Sequence, residues 1–188
     1  MMHVKKELKA KAREWFEIIG LQKTPESMCL YDKLLKEELT ELIYANTEHE
    51  TIDAIGDIAF VLHGISYIAN EKDGENNITQ NASPGALVAA AAITQFDEHA
   101  INLALDAVVE SNYTKFCKTR AEALKSITKY NEQGIQTYYK KQNDYYVLYV
   151  REDTVVGDKY YPAGKVMKSI NFQPPKLKTS TGVGIWVK

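Results

Sequence analysis

The chain has 188 residues, 45% apolar and 26% charged with a net charge of −2, which is ordinary for a globular protein and enough for one domain with a real core. Two cysteines, Cys29 and Cys117, exclude a disulfide framework and lack zinc-ligand spacing, so a reduced cytoplasmic protein is expected. No apolar signal core follows Met1–Lys6, no run approaches membrane-spanning length, and the most apolar segment, Gly85–Ile93, is too short.

Residues 3–19 read as an amphipathic helix with Leu8, Trp15, Phe16, Ile18 and Ile19 as its apolar surface and Gly20 as its stop. Thr24-Pro25-Glu26 supplies an N-cap, a first-turn proline and an early acid for a helix to about Ala45. Thr47 with Glu50 matches a capping box and opens a helix to about Ala69. So few residues join these two helices that they should pack antiparallel. Glu71–Asn81 is polar and turn-rich, and Ser83-Pro84 starts an alanine-rich helix to about Gln95. Asp97–Glu110 continues the helical pattern with Ile101, Leu105 and Val108 on one face, and Ser111–Lys115 interrupts or extends it. Thr119 and Glu122 form a second capping box, for a helix ending at Gly134. The period then changes. Tyr145–Val150 is β-rich, a hairpin at Gly157-Asp158 would pair it with Lys159–Tyr161, and Lys165–Phe172 and Val183–Val187 are candidate short strands. The expected fold is mainly α: an antiparallel helical bundle over residues 1–139, with residues 140–188 a basic β-rich extension of the same domain unit.

The two helices over 24–69 carry misplaced charge. At about 100° per residue, Tyr31, Leu34, Leu35, Leu42 and Ala45 all fall within about 60° of Glu38. Asp57 is set the same way among Ala54, Phe60, Val61, Gly64 and Ile68. Amphipathic helices normally keep acids on the wet side, and a carboxylate on the buried side must be paired, protonated or bound to a cation. Glu41 shares the face of Glu38, and Asp53 that of Asp57, so two helices aim acids at a shared core. Oxygen donors alone suggest a hard cation, Mg²⁺ first, with Mn²⁺ as the alternative. No His stands three residues after a Glu, against a ferritin-like di-iron site, and no His-Asp pair supports an HD-type phosphohydrolase. Charge is split along the chain: residues 1–139 hold 14 Lys+Arg against 21 Asp+Glu, and residues 140–188 hold 9 against 4. That split is poor for gripping a nucleic-acid backbone and suits a small polyphosphate held by metal ions and lysines. Plain electrostatic docking of the tail explains it equally well.

Lys36-Glu37-Glu38-Leu39-Thr40-Glu41-Leu42 followed by Asp53-Ala54-Ile55-Gly56-Asp57 resembles the MazG-like all-α nucleoside triphosphate pyrophosphohydrolases. The branch it resembles most is the phosphoribosyl-ATP pyrophosphohydrolase-like one, common in phages and bacteria. Ala12–Gly20, Glu110–Lys115 and Gly164–Lys168 with Pro174-Pro175 resemble further segments of that branch, in the right order. The family's second motif is usually Glu-x-x-Asp ending where Asp57 stands, and this chain has Ala54 at the Glu position, with Asp53 one residue earlier. Asn76–Gln95 resembles an insertion, and Lys178–Lys188 lies outside the resemblance.

The resemblance implies Mg²⁺-dependent hydrolysis between the α and β phosphates of a nucleotide, giving a monophosphate and pyrophosphate. It implies Glu38, Glu41, Asp53 and Asp57 as metal ligands, with Glu37 positioning water or accepting its proton beside Glu38. Asn112 and Lys115 carry over as substrate contacts, with Lys165 and Lys168 as further ones. The resemblance also implies a homodimer or homotetramer. The alternative reading is a catalytically weak nucleotide-binding sensor of the same fold. Trp15, Phe16 and His63 are expected in the core.

Overall fold

The computed structural model describes residues 4–69 and 83–177. The expected loop Glu71–Asn81, the candidate strand Val183–Val187 and the final stretch Lys178–Lys188 lie outside them. The described chain is mainly helical with a few strands near its C-terminal end. It divides into two compact units, Met1–Glu110 with Pro175–Lys188, and Ser111–Pro174.

In the first unit, α1 (Lys6–Ile18), α2 (Pro25–Tyr44), α3 (Glu48–Ile68), α4 (Pro84–Ile93) and most of α5 (Glu98–Tyr113) pack on one another. Three helix starts are fixed by the residues expected to fix them. The Thr24 hydroxyl accepts from Ser27 N, and that of Ser83 accepts from Ala86 N. The Thr47 hydroxyl accepts from Glu50 N, while the Glu50 carboxylate accepts from Thr47 N and Asn46 N. Helix α3 is the central element and buries residues on almost every side, from Ile52 to Ile68. It is the one described helix long and apolar enough by composition to cross a membrane, which corrects the expectation that no run comes close. Asp53 and Asp57 had masked the run, and 72% of its most apolar window is buried inside the protein, where a core helix belongs.

Trp15, Phe16, Tyr31 and Phe60 form an aromatic cluster, in which Trp15 meets Phe60 and Phe16 meets Tyr31 edge to face, the latter at 6.0 Å, while Phe16 and Phe60 lie tilted at 5.0 Å. Two glycines on α3 allow the close approach. A Cβ on Gly64 would overlap the Tyr31 ring of α2. One on Gly56 would lie 2.7 Å from Val108 Cγ2 and 2.8 Å from the Ala104 carbonyl oxygen of α5.

The second unit starts at the last turn of α5 and holds α6 (Arg120–Glu132), β1 (Thr137–Gln142), β2 (Tyr145–Val150), β3 (Thr154–Val156), β4 (Lys159–Tyr161) and β5 (Val166–Met167). The expected partner of β2 is corrected here. Tyr145–Val150 pairs antiparallel with β1, from Thr137 opposite Val150 to Gln142 opposite Tyr145. The turn between them places Asn143 at φ 51°, a region Asn tolerates well. Gly157-Asp158 does close a hairpin, but between β3 and β4. Of the expected strand Lys165–Phe172, only Val166–Met167 pairs, beside Leu148 and Tyr149. The units divide between Glu110 and Ser111, so α6 and β1 fall in the second with the later strands. The reason is packing: Ala123 on α6 shares one core with Cys117, Ile135, Leu148, Val150 and Met167, so this helix belongs with the strands.

Alanine normally favours a helix over glycine by about 1 kcal/mol. Here the sign should reverse. Gly64→Ala and Gly56→Ala should each destabilise the protein by about 1–3 kcal/mol, the usual cost of overpacking, as read from urea unfolding midpoints. An unchanged or raised midpoint would show that the helices do not approach this closely.

Candidate functional site

The Tyr31–Gly64 contact sets the register of the antiparallel pair α2 and α3. Moving about two turns along each helix in opposite directions brings Glu38 level with Asp57. Glu41 and Asp53 follow one turn on. The electrostatics of Glu38 agree. Its carboxyl is pushed up to about 8, first by burial, then by the charges of Asp57, Glu41, Glu37 and Asp53 in that order. Four acids, from both helices, therefore oppose the ionisation of Glu38.

Their exposure is graded. Glu38, Asp53 and Asp57 are half-buried, whereas Glu37 and Glu41 are exposed. Buried Tyr31 and Leu35 precede Glu38 on its stripe, and Asp53 and Asp57 sit among buried Ala54, Ile58, Phe60 and Val61. One oxygen of Asp53, Oδ1, is shielded from solvent. Ala54, where the resembled motif has a Glu, is 2% exposed and part of the core.

The donor set fits a hard cation in chemistry: carboxylate oxygens only, with a half-buried member that is costly to ionise alone. The side chains are gathered without being closed on a single point. Among the described residues, no three His, Cys, Asp or Glu side chains are placed to hold one ion. Like charges favour splayed rotamers, so closure on a cation needs side-chain rotation about an otherwise fixed backbone.

The other predicted residues lie in the second unit. Asn112 is buried, Lys115 half-buried, and Lys165 and Lys168 exposed. Lys165 Nζ stands 5.7 Å from the centre of the Tyr161 ring, and Lys168 Nζ 4.2 Å from that of Phe172. The backbone joins two of the predicted segments, because Ser169 N donates to the Lys115 carbonyl at 3.1 Å. Lys165 belongs elsewhere in this unit, its carbonyl accepting from Val150 N at 3.0 Å.

Trp15 and Phe16 are core residues, 5% and 0% exposed, and so are not free to stack on a base. His63 also behaves as a core histidine. Its Nδ1 lies 2.7 Å from the Ala59 carbonyl, and burial, aided by the charge of Lys9, lowers its pKa.

The chain matches no family model, no curated protein and no solved structure.

The Glu38 carboxyl yields a pH signature. Its folded-state pKa lies above the ordinary 4.5, so the folded chain holds a proton that the unfolded chain has already released. The favourable contribution is complete below about pH 4.5 and is lost as pH rises through about 8. In that window metal-free wild type should lose stability relative to Glu38→Gln by up to about 1.4 kcal/mol per pH unit. Thermal melts of both proteins from pH 5 to 8.5 check this. Parallel curves would mean that Glu38 is not crowded.

Proposed function

We propose that the chain is a Mg²⁺-dependent nucleotide pyrophosphohydrolase that releases a monophosphate and pyrophosphate. The observation that carries the reading is the carboxylate group around Glu38, drawn from two packed helices and set at the edge of an apolar core. Such an arrangement costs folding energy, because burial and the charges of Asp57, Glu41, Glu37 and Asp53 all oppose the ionisation of Glu38. A divalent ion offsets that cost. Glu38, Glu41, Asp53 and Asp57 would hold it, with Mn²⁺ as the substitute for Mg²⁺. When bound, it would screen the phosphate charges and acidify bound water.

The chain's own residues supply the remaining roles. Glu37 lies on the exposed side of α2, one residue from Glu38, where it can orient a water or take its proton. Lys115 gives a point charge for a phosphate oxygen, and Asn112 can orient phosphate or sugar. Lys165 and Lys168 are weaker candidates, because both are exposed and each already lies over an aromatic ring.

A second reading keeps the ligand and drops the turnover: a nucleotide sensor or sequestering protein. Buried Ala54 at the motif's acid position favours it, since one carboxylate of the resembled pattern is replaced by a core methyl. A panel of NTPs and dNTPs with Mg²⁺, scored for pyrophosphate, separates the two. The enzyme reading expects turnover with at least one nucleotide, a loss of more than about 100-fold in Asp57→Asn, and a fold at least as stable. Binding without pyrophosphate release would support the sensor. Near-full activity in Asp57→Asn would remove the assigned ligands.

The reading also includes self-association. Helix α2 has 20 residues but buries only Tyr31 and Leu35, while Leu30, Ile43 and Tyr44 stay exposed. Leu87 and Val88 on α4 are exposed too. A second copy of the chain would cover apolar surface of this kind. Light scattering at micromolar concentration should give a dimer or tetramer, and a monomer would overturn this part.

A further inference from the structure

Residues 168–173 of the second unit carry no regular secondary structure after β5, yet hydrogen bonds pin them at almost every position. Ser169 N donates to the Lys115 carbonyl at 3.1 Å, and Ser169 Oγ donates to the Thr114 carbonyl at 2.9 Å. Gln173 N donates to Thr114 Oγ1 at 2.9 Å and the Gln173 carbonyl accepts from Ser111 Oγ at 2.8 Å, while the Thr114 hydroxyl proton is shared between the Ser111 carbonyl at 2.7 Å and the Gln173 carbonyl at 3.2 Å. The same strap is tied to α6. Ile170 N donates to Ser126 Oγ at 3.0 Å, Asn171 Nδ2 to the Glu122 carboxylate, and Tyr130 OH to the Lys168 carbonyl at 2.9 Å.

These bonds converge on one stretch, Ser111–Lys115, where α5 ends. Helix ends normally leave carbonyls for water or for a cap. Here the Thr114 and Lys115 carbonyls are taken by a segment far along the chain, and Ser169 at 4% exposure and Asn112 at 4% are both buried. A surface turn that needed only to be soluble has no use for such fixing. A turn that presents one ammonium group at a set position does, because a mobile backbone would lose conformational entropy on each binding event.

We propose that residues 168–173 are a positioning strap, in which Thr114, Ser169 and Gln173 hold the Lys115 backbone so that its side chain meets a substrate phosphate. The inference rests on the reading of Lys115 as a phosphate contact. Thr114 and Ser169 do not touch the ligand and act through Lys115.

The matched pair Thr114→Val and Thr114→Ser tests it. Valine keeps the shape and removes both hydroxyl bonds to Gln173 together with the 2.7 Å bond to the Ser111 carbonyl, whereas serine keeps the hydroxyl and all three. The measurement is calorimetric Kd for a series of α,β-methylene nucleoside triphosphates with Mg²⁺, on the full chain, with the melting temperature recorded for each variant. Lys115→Ala should weaken binding at least tenfold. Thr114→Val should weaken it about 3- to 20-fold, Thr114→Ser less than twofold, and Thr114→Val should add nothing in the Lys115→Ala background. Ser111→Ala, which loses a single bond to the strap, replaces Thr114→Val should the valine variant not fold. Unchanged Kd in Lys115→Ala, or no binding of any analogue by wild type, overturns the phosphate-contact reading and the strap with it. A tenfold loss in Lys115→Ala with no effect of Thr114→Val on Kd overturns the strap alone. So does a Thr114→Val effect that persists without the lysine.

Discussion

The constraint on which the first unit depends is the close approach of α2 to α3 at Tyr31 and Gly64. A helix pair held apart by a side chain at position 64 would have no fixed register, and the acids would titrate as separate surface groups. With the tyrosine ring seated over glycine, the register is determined and Glu38 meets Asp57. The same contact feeds the aromatic core through Phe16 and Tyr31, so the apolar cluster and the acid cluster are two ends of one interface. The strain of the second is carried by the packing of the first.

Placement of charge on this interface is graded rather than uniform. Glu38 is the member whose ionisation is most opposed, while Glu37 and Glu41 stay exposed to water. A cluster with every acid fully buried would protonate or unfold, and one fully exposed would bind divalent ions only weakly. An intermediate edge position keeps several carboxylates near one another and keeps a path to solvent for an incoming cation and its waters.

Local signals were the legible part of the sequence. Thr47 and Glu50 sit where a capping box requires them, and Glu38, Asp53 and Asp57 are half-buried among apolar neighbours, whereas Glu41 is exposed. Caps and periodicity depend on residues within one or two turns, so they survive without tertiary information. Pairing of strands does not. Thr137–Gln142 contains Lys140, Lys141 and Gln142, which dilute its β signal, and it becomes a strand because β2 lies beside it. The hairpin turn was found from Gly157-Asp158, but its strands were mismatched for the same reason. Ala54 shows the limit at the candidate site itself: a one-residue shift from Ala54 to Asp53 stays close enough on the helix face to look equivalent, yet only one of the two positions lies in the core.

The strap extends this argument to the second unit. Ser169 and Gln173 give no signal of their own, because their partners, the Thr114 carbonyl and hydroxyl, lie more than fifty residues away. The lysines stood out in sequence, while the groups that order one of them did not. Charge is conspicuous in a sequence and positioning is not, yet a phosphate contact needs both. One unit holds carboxylates whose repulsion a cation would relieve. The other holds a lysine whose backbone is fixed in advance. In each, packing and hydrogen bonding meet an organisational cost before any ligand arrives, and preorganisation of that kind is what separates a binding site from a charged surface.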